Sequence, residues 1–441
     1  MPDPIIRDLG DGLIIRHSTA EDAIPLAKFN KEIHSEDEWD EKGLVDWTLD
    51  LMSGNSPTFN EGDFTIVEDT HTNQIVSTAC LISQTWSYDG LPFKVGRPEL
   101  IGTHQDYRRR GLVRAQMEIL HKWSAARGEL VQAITGIPYY YRQFGYEMTL
   151  NLGGGRSGYK NQVPKLKDEE REPFTFRKAD KTDIPFLTAT YNRGCLRSMV
   201  SAVWSKDLWL NELTKKSKYN LNRRKVLIIE DLDGVPVGFI GIPAIKWHEK
   251  SVLTVYELAP GMSWSAVTPS VIRFLWKTGT DFNKRHDLPQ ETFDFWLGDS
   301  HPAYDVAASR LVKTSKPYAY YLRVPNLLDF IQEITPALET RLLESAFAFY
   351  NGEVKLNFYR SGLTLVFKNG LIEDVMKLKP DELNNATASF PNLTFLQLLF
   401  GYRDMDELDH AFADCFPRDK ESKLLLNTLF PKQSSDVWEI S

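Results

Sequence analysis

The stretch Tyr107-Arg108-Arg109-Arg110-Gly111-Leu112-Val113-Arg114-Ala115 decides how the first part of the chain is interpreted. The apolar run before it, Leu100-Ile101-Gly102-Thr103, predicts a strand, and the apolar spacing after Gly111 predicts a helix. The first backbone N–H groups of a helix have no internal partner and carry partial positive charge. Gly111 lets the backbone approach a ligand closely, and the arginines add charge. The segment therefore predicts a pyrophosphate site, with a solvated basic cluster as the alternative.

A second segment follows at a suitable distance. Leu130-Val131-Gln132-Ala133-Ile134-Thr135-Gly136 predicts the next strand, and Tyr139-Tyr140-Tyr141-Arg142-Gln143-Phe144-Gly145-Tyr146 comes after it. Together the two segments resemble the GCN5-related N-acetyltransferase (GNAT) family. The family's loop pattern, (Gln/Arg)-x-x-Gly-x-(Gly/Ala), is matched from Arg108 except at Val113. Its later pattern, Tyr-x-x-x-Gly-(Phe/Tyr), is matched in full from Tyr141.

An internal repeat organises the first three quarters of the chain. Ile15-Arg16 and the segment after it recur at Phe176-Arg177, and Phe64–Asp69 recurs as Val226–Asp231. The two copies lie about 161 residues apart, as the positions of Arg16 and Arg177 show. Each copy predicts a strand, an amphipathic helix and a strand–turn–strand unit. The repeat therefore predicts two similar domains.

Two composition changes predict the domain boundaries. A charged, proline-bounded segment at 160–173 is typical of a linker, and a second change falls near Val324-Pro325. We therefore expect domains at 1–160, 173–324 and 325–441. In the last of these, a helix is predicted at 327–334, strands at 352–358 and 363–367, a hairpin turn at Asn369-Gly370, and helices over 396–412.

The doubled unit and the third region narrow the resemblance. The whole chain is similar to the enhanced intracellular survival (Eis) family, over nearly all of its 441 residues. This resemblance implies an α+β fold: two tandem GNAT-like domains, each a mixed sheet flanked by helices, and a sterol-carrier-like α+β domain. In that family the central unit lacks the phosphate loop. The corresponding stretch here, Gly261–Val267, has neither the arginine nor the glycine pattern.

The resemblance implies an acetyl-CoA-dependent N-acetyltransferase in which a primary amine attacks the thioester through a tetrahedral intermediate. Tyr141 is the expected acid, because a phenol with a pKa near ~10 can protonate a thiolate whose conjugate acid lies near ~8.5. A backbone N–H on the strand before the loop is expected to bind the oxyanion. The residues assigned to acetyl-CoA are Ile101, Gly102, Thr103, Arg108, Arg109, Arg110, Gly111, Leu112 and Gly136.

The base and the acceptor site are less closely defined by the sequence. The resemblance implies that the C-terminal carboxylate, here on Ser441, reaches the N-terminal site, whereas a closing core segment is the alternative. His104 and Asp106 are rival bases. Glu36, Asp37 and Trp39 are predicted to contact a cationic acceptor such as an aminoglycoside, polyamine or lysine side chain. A solvated acidic loop is the alternative.

Composition excludes several classes of protein. The formal net charge of −8 argues against general nucleic-acid binding, and no apolar run reaches the ~20 residues of a membrane span. Three separated cysteines and nine histidines without HxxxH or HExxH spacing give no metal site. We expect a cytoplasmic homo-oligomer, a hexamer by resemblance, acting on a small-molecule or peptide amine. A non-catalytic acyl-CoA- or lipid-binding protein is the alternative, since Val113 departs from the family pattern.

Overall fold

The N-terminal part of the chain builds a mixed sheet from long alternating segments. The computed structural model describes residues 5–137, 139–245, 250–286 and 290–438. The first strands are β1 (Ile5–Gly10), β2 (Leu13–His17), β3 (Phe64–Asp69), β4 (Gln74–Tyr88), β5 (Leu91–Thr103), β6 (Val131–Ile134), β7 (Glu147–Leu152) and β8 (Gly155–Tyr159). The helices of this part are α1 (Ala23–His34), α2 (Glu38–Met52) and α3 (Leu112–Ala126).

Strands β5 and β6 run parallel but separate after two residue pairs. Their described pairing is limited to Val95 with Val131 and Gly96 with Gln132. A bulge in β5 adds to the divergence. Thr78 of β4 lies opposite Gly102 and Cys80 lies opposite Glu99, so β5 has one extra residue between these two pairs. The bulge places buried Leu100 at φ 49°, in the left-handed region. The sheet therefore opens between the C-terminal ends of β5 and β6.

The next part of the chain repeats the same types of element. Its strands are β9 (Thr175–Lys178), β10 (Val200–Ala202), β11 (Arg224–Glu230), β12 (Pro236–Pro243), β13 (Lys250–Leu253), β14 (Val255–Leu258), β15 (Thr292–Phe295), β16 (Lys313–Ser315) and β17 (Tyr318–Arg323). Its helices are α4 (Ile184–Cys195), α5 (Lys206–Leu210), α6 (Trp264–His286) and α7 (Pro302–Val306). A π-helical turn, Asn211–Lys215, continues α5.

One ion-pair triad occurs in both parts at equivalent positions. In each triad an arginine on an early strand bonds an aspartate at the start of the next helix and a glutamate on the strand that pairs with its own strand. The nitrogen–oxygen distances are 2.6–2.8 Å in both. This repeated arrangement supports the sequence repeat. The triads are Arg16, Asp22 and Glu68, and Arg177, Asp183 and Glu230.

The first two parts share strands: the second part contributes β17 and β10 to the first sheet, and the first part contributes β8 to a sheet of the second. The first sheet has the order β1-β2-β3-β4-β5-β6-β17-β7, with β10 paired to β4, so β17 lies between β6 and β7. Conversely β8 lies between β15 and β16, in a sheet of order β13-β15-β8-β16. A Cβ on Gly155 of β8 would lie 2.0 Å from the carbonyl oxygen of Phe295, so this approach requires glycine. The predicted divisions at 160 and 324 stay predictions. Strands pair across the first division, and an isolated bridge between Ser201 and Asp436 crosses the second.

The third part has a five-stranded sheet of order β20-β19-β18-β21-β22. Its strands are β18 (Gly352–Asn357), β19 (Gly362–Lys368), β20 (Leu371–Lys377), β21 (Ala388–Ser389) and β22 (Phe416–Pro417). Its helices are α8 (Leu327–Glu333), α9 (Thr335–Leu343), α10 (Phe395–Leu399), α11 (Met405–Ala411) and α12 (Lys420–Leu429). The turn between β19 and β20 has Asn369 at φ 50° and Gly370 at φ 80°, as two-residue hairpins require.

A single buried cluster joins all three parts. It contains Trp86 of β4, Trp209 of α5, Phe330 of α8 and Leu356 of β18. Burial of this much apolar surface is the main favourable term in folding. No helix in the described residues is both long enough and apolar enough to cross a membrane.

The end of the described chain docks on the second part. The ring of Trp438 stacks on Trp204, with centroids 4.1 Å apart and planes inclined by 18°. The backbone N–H of Met199 donates to the Ser434 carbonyl at 2.9 Å, and that of Asp436 donates to the Val200 carbonyl at 3.1 Å. The tail is therefore fixed by both strand-like hydrogen bonds and aromatic packing.

We expect a buried carboxyl group next to the docked tail to make stability fall as pH rises. Burial raises the pKa of Glu257, which bonds Arg197, to about 7. A raised folded-state pKa gives a contribution to stability that is full near pH 4 and lost as pH rises through 7. For Glu257 this contribution is up to about 3 kcal/mol. Thermal melting from pH 4 to 8 should show the decline, and Glu257→Gln should reduce it. Identical pH profiles for both proteins would contradict this assignment.

Candidate active site

A cleft of about 670 Å³ lies where β5 and β6 separate. It brings together the arginine–glycine loop, the edge of β5, the end of α1 and the turn after β6. The residues that line it are Ile33, His34, Ile101, Gly102, Thr103, Tyr107, Arg108, Arg109, Gly111, Leu112, Val113, Arg114, Ile137, Tyr140, Tyr141, Gln143 and Phe144. The two segments singled out from the sequence thus meet in one site.

The loop presents the start of α3 to this cleft. Gly111 is the N-cap of α3 and has φ 78°, and a Cβ there would have no neighbour within 4 Å. The first turn of α3 contains no acidic residue. Arg108 and Arg109 line the cleft, and Arg109 itself adopts a left-handed conformation at φ 66°. Open space, free helix N–H groups and two guanidinium groups together suit a diphosphate.

Arg110 takes a different position from its two neighbours. Its guanidinium lies 4.9 Å from the ring centre of Tyr107, and its Nη2 donates to the Asp106 carbonyl at 3.4 Å. The Tyr107 hydroxyl in turn donates to Asp69 at 2.6 Å. Arg110 is not among the cleft-lining residues, so its contacts here are with the loop itself.

Tyr141 is held on a 3-10 turn, Tyr140–Phe144, at the wall of the cleft. The side chain is only 7% exposed. Burial, and after it the Glu99 charge, raises the pKa of Tyr141 above its ordinary value of 10, so the hydroxyl is protonated at neutral pH. Gly136 has φ 123°, and a Cβ there would lie 3.3 Å from the Tyr141 ring. Gly136 therefore contacts the proposed acid and is not among the cleft-lining residues.

Strand β17 supports this turn from outside the first unit. The Tyr318 hydroxyl donates to the Gly136 carbonyl, and the Tyr139 N–H donates to the Tyr321 hydroxyl at 3.2 Å. Sequence interpretation missed both tyrosines, because they lie about 180 residues beyond the turn that they hold. No local pattern could have indicated this contact.

His34 is a further cleft residue that sequence interpretation missed. It ends α1, and a Cβ on Gly102 would lie 3.1 Å from its Nε2 atom. This Nε2 is buried and has no hydrogen-bond partner in the described residues. Burial lowers the pKa of the imidazole. A lone histidine next to an acidic segment gives no sequence signal for such a position.

The predicted acceptor residues lie just beyond this histidine. Asp37 caps α2, because its carboxylate accepts from the N–H groups of Trp39 at 2.8 Å and Asp40 at 2.9 Å. The Trp39 ring lies 6.2 Å from the ring of Phe282 on α6. Glu36 is at the α1–α2 junction. None of the three lines the cleft, and their contact with an acceptor stays a prediction.

The candidate bases from the sequence are placed as follows. Ser441 lies outside the described residues, which end at Trp438. His104 begins the 3-10 turn before the loop, where its Nδ1 accepts the Asp106 N–H at 3.4 Å. Neither His104 nor Asp106 lines the cleft. In the described part of the chain, no group of three or more His, Cys, Asp or Glu side chains is arranged to hold a metal ion.

Comparison with known proteins assigns the class of this fold. Residues 36–149 match the family model described as an acetyltransferase (GNAT) domain. This range includes the loop, the bulged strand and Tyr141. A comparison with curated proteins finds no match. The chain thus contains a GNAT acetyltransferase domain, and acyl transfer is the activity that this domain supports.

Solved structures share the fold over nearly the whole chain. A conserved protein of Enterococcus faecalis V583, described as a probable N-acyltransferase, is 13% identical with a TM-score of 0.67, over 97% of this chain and 99% of the other. A GCN5-related N-acetyltransferase from Kribbella flavida is 16% identical with a TM-score of 0.64, over 97% and 98%. Eis1 from Mycobacterium abscessus is 11% identical with a TM-score of 0.58, over 97% and 100%. At these low sequence identities the matches show that the proteins share a fold.

Proposed function

We propose that this protein transfers an acetyl group from acetyl-CoA to a primary amine. The observation that carries the proposal is that an arginine–glycine helix start and a buried, protonated phenol share one cleft. A cofactor pyrophosphate would lie against the N–H groups after Gly111 and the guanidinium groups of Arg108 and Arg109. Leu112 begins the helix whose N-terminus would face it.

The edge of β5 offers the complementary site for the pantetheine arm. Beyond Gly96 the described part of β6 does not pair with β5, so an extended chain can lie along Ile101, Gly102 and Thr103. Such strand-like binding supplies backbone hydrogen bonds to a ligand amide. A backbone N–H of the same segment would stabilise the oxyanion of the tetrahedral intermediate.

Tyr141 would act as the acid at the end of the reaction. The amine nitrogen forms a bond to the thioester carbon, and the carbonyl electron pair moves to oxygen. When the carbonyl re-forms, the carbon–sulfur bond breaks and its electron pair goes to sulfur. The Tyr141 hydroxyl can then protonate the thiolate, since burial keeps this hydroxyl in its neutral form.

The remaining features of the proposal rest on resemblance. We propose an Eis-type organisation: a catalytic first unit, a second unit without a phosphate loop, and a sterol-carrier-like third region. Fold likeness to Eis1 over 97% of the chain supports this organisation. The acidic start of α2 and the net charge of −8 favour a cationic acceptor, such as an aminoglycoside, a polyamine or a lysine side chain. Cytoplasmic location and a hexameric assembly remain predictions.

The test is thiol release from acetyl-CoA in the presence of a panel of these amines. We expect turnover with at least one amine, and a 10- to 100-fold rise in the acetyl-CoA KM for Arg108→Ala or Arg109→Ala. Each substitution removes a charge-assisted contact worth about 1.5–3 kcal/mol. Arg171→Ala, in the exposed linker, is the matched control. Absence of thiol release with every amine would reject the proposal, and an unchanged KM in both variants would reject the anion site.

A further inference from the structure

We infer that His34 accepts the proton that the acceptor amine must lose, and so serves as a catalytic base. The inference rests on the proposed acetyl transfer and deepens it. An alkyl ammonium group with a pKa near ~10.4 cannot attack a thioester until it has lost a proton. The reaction therefore needs a proton acceptor close to the bulged part of β5, where the thioester would lie.

Geometry places the His34 imidazole at that point. The last turn of α1 packs on β5, and Gly102 has no side chain to separate them. A Cβ on Gly102 would lie 2.7 Å from Cγ2 of Ile33 and 3.1 Å from Nε2 of His34. The imidazole thus rests on the backbone of the segment proposed to bind the thioester. His34 and Tyr141 line the same cleft.

The Nε2 atom of His34 is buried and lacks a hydrogen-bond partner in the described residues. A buried polar atom without a partner costs about 1–3 kcal/mol, and each such atom calls for an explanation, such as a ligand, an ordered water or a catalytic role. A bound amine can provide the missing partner. Burial also favours the neutral imidazole, which can accept a proton.

The proton balance is complete with the groups present. His34 takes one proton from the ammonium group and later releases it to solvent. The free amine forms the carbon–nitrogen bond, the carbon–sulfur bond breaks, and sulfur takes a proton from Tyr141. The nitrogen then carries one surplus proton, which returns to the Tyr141 phenolate. The sum is an ammonium ion and acetyl-CoA giving an amide, free CoA and one proton.

The test uses the full-length protein with an amine that wild type acetylates. We expect kcat to fall about 10²-fold in His34→Gln and His34→Ala, with an unchanged acetyl-CoA KM. Added imidazole should restore at least a tenth of the lost rate to His34→Ala, because it can fill the vacated space and accept the proton. His34→Gln fills that space and should show no rescue. His410→Ala, at an exposed position on α11, is the control.

The outcomes separate this inference from the proposed function. Wild-type turnover with an unchanged kcat in both His34 variants would overturn the role of His34 and leave acetyl transfer standing. A reduced kcat that imidazole does not restore would also overturn the role of His34. The same conclusion would follow if a chain ending at Ile440 lost all activity while His34→Ala kept its activity. Absence of turnover by wild type would remove both proposals.

Discussion

Tyr141→Phe is expected to lower kcat for acetyl transfer by about 10²- to 10³-fold. The substitution removes only the hydroxyl, so the ring can keep its contacts with Tyr140 and Tyr146. Loss of a positioned proton donor typically costs 10²–10⁴-fold in rate. The acetyl-CoA KM should stay within about twofold of the wild-type value, because the substitution removes a proton donor and leaves acetyl-CoA binding unchanged. Steady-state kinetics with a saturating amine would measure both constants.

The neighbouring tyrosine provides a matched control. Tyr139 is 73% exposed and is separated from Tyr141 by one residue, so Tyr139→Phe makes the same chemical change outside the cleft. Its kcat should equal that of wild type. Equal kcat values for Tyr141→Phe and wild type would show that the thiolate leaves without this acid. That result would leave the proposed anion site standing.

Tyr320→Ala is expected to destabilise the protein by about 3–5 kcal/mol, the usual cost of removing a large buried aromatic ring. Tyr320 lies in β17 and is fully buried. Its ring centre is 5.4 Å from that of Trp86 in β4 and 5.7 Å from the Arg97 guanidinium. The ring therefore joins the inserted strand to the first sheet. Urea unfolding followed by tryptophan fluorescence would measure the loss.

A surface tyrosine gives the comparison for this second prediction. Tyr219 is 37% exposed, and Tyr219→Ala should change the free energy of unfolding by less than about 1 kcal/mol. A separate assay of acetyl transfer should show a reduced rate in Tyr320→Ala, because β17 also holds the Tyr141 turn through Tyr318 and Tyr321. Equal stability of the two variants would contradict the structural role assigned to β17.

Local features of the site could be predicted because the sequence encodes them over a few residues. Gly111 ends a loop and begins a helix, and Tyr141 stands at a fixed distance before Gly145; both residues line the cleft. The hairpin at Asn369-Gly370 was predicted for the same reason and is confirmed, since its two residues need positive φ values.

Features that depend on distant partners could not be predicted. The apolar pattern of β17 indicates a strand but gives no information on which sheet receives it. His34 has an ordinary helical context. Its proposed role as a base depends on its approach to Gly102, which lies 68 residues later in the sequence. The predicted helical stretch 396–412 is two helices, α10 and α11. Gly401 has φ 67° and interrupts it, and Asp404 caps the second helix.

The strand exchange has a consequence for synthesis on the ribosome. The N-terminal unit is nearly complete when β7 emerges, yet its sheet keeps a gap between β6 and β7 until Tyr318–Arg323 follows. At about 5–20 residues per second, the intervening chain takes roughly 10–30 s to make. We expect the facing edges of β6 and β7 to stay unpaired during this interval. The first sheet is then complete only late in translation, and a ribosome that stalls within the second unit would leave an open, aggregation-prone edge.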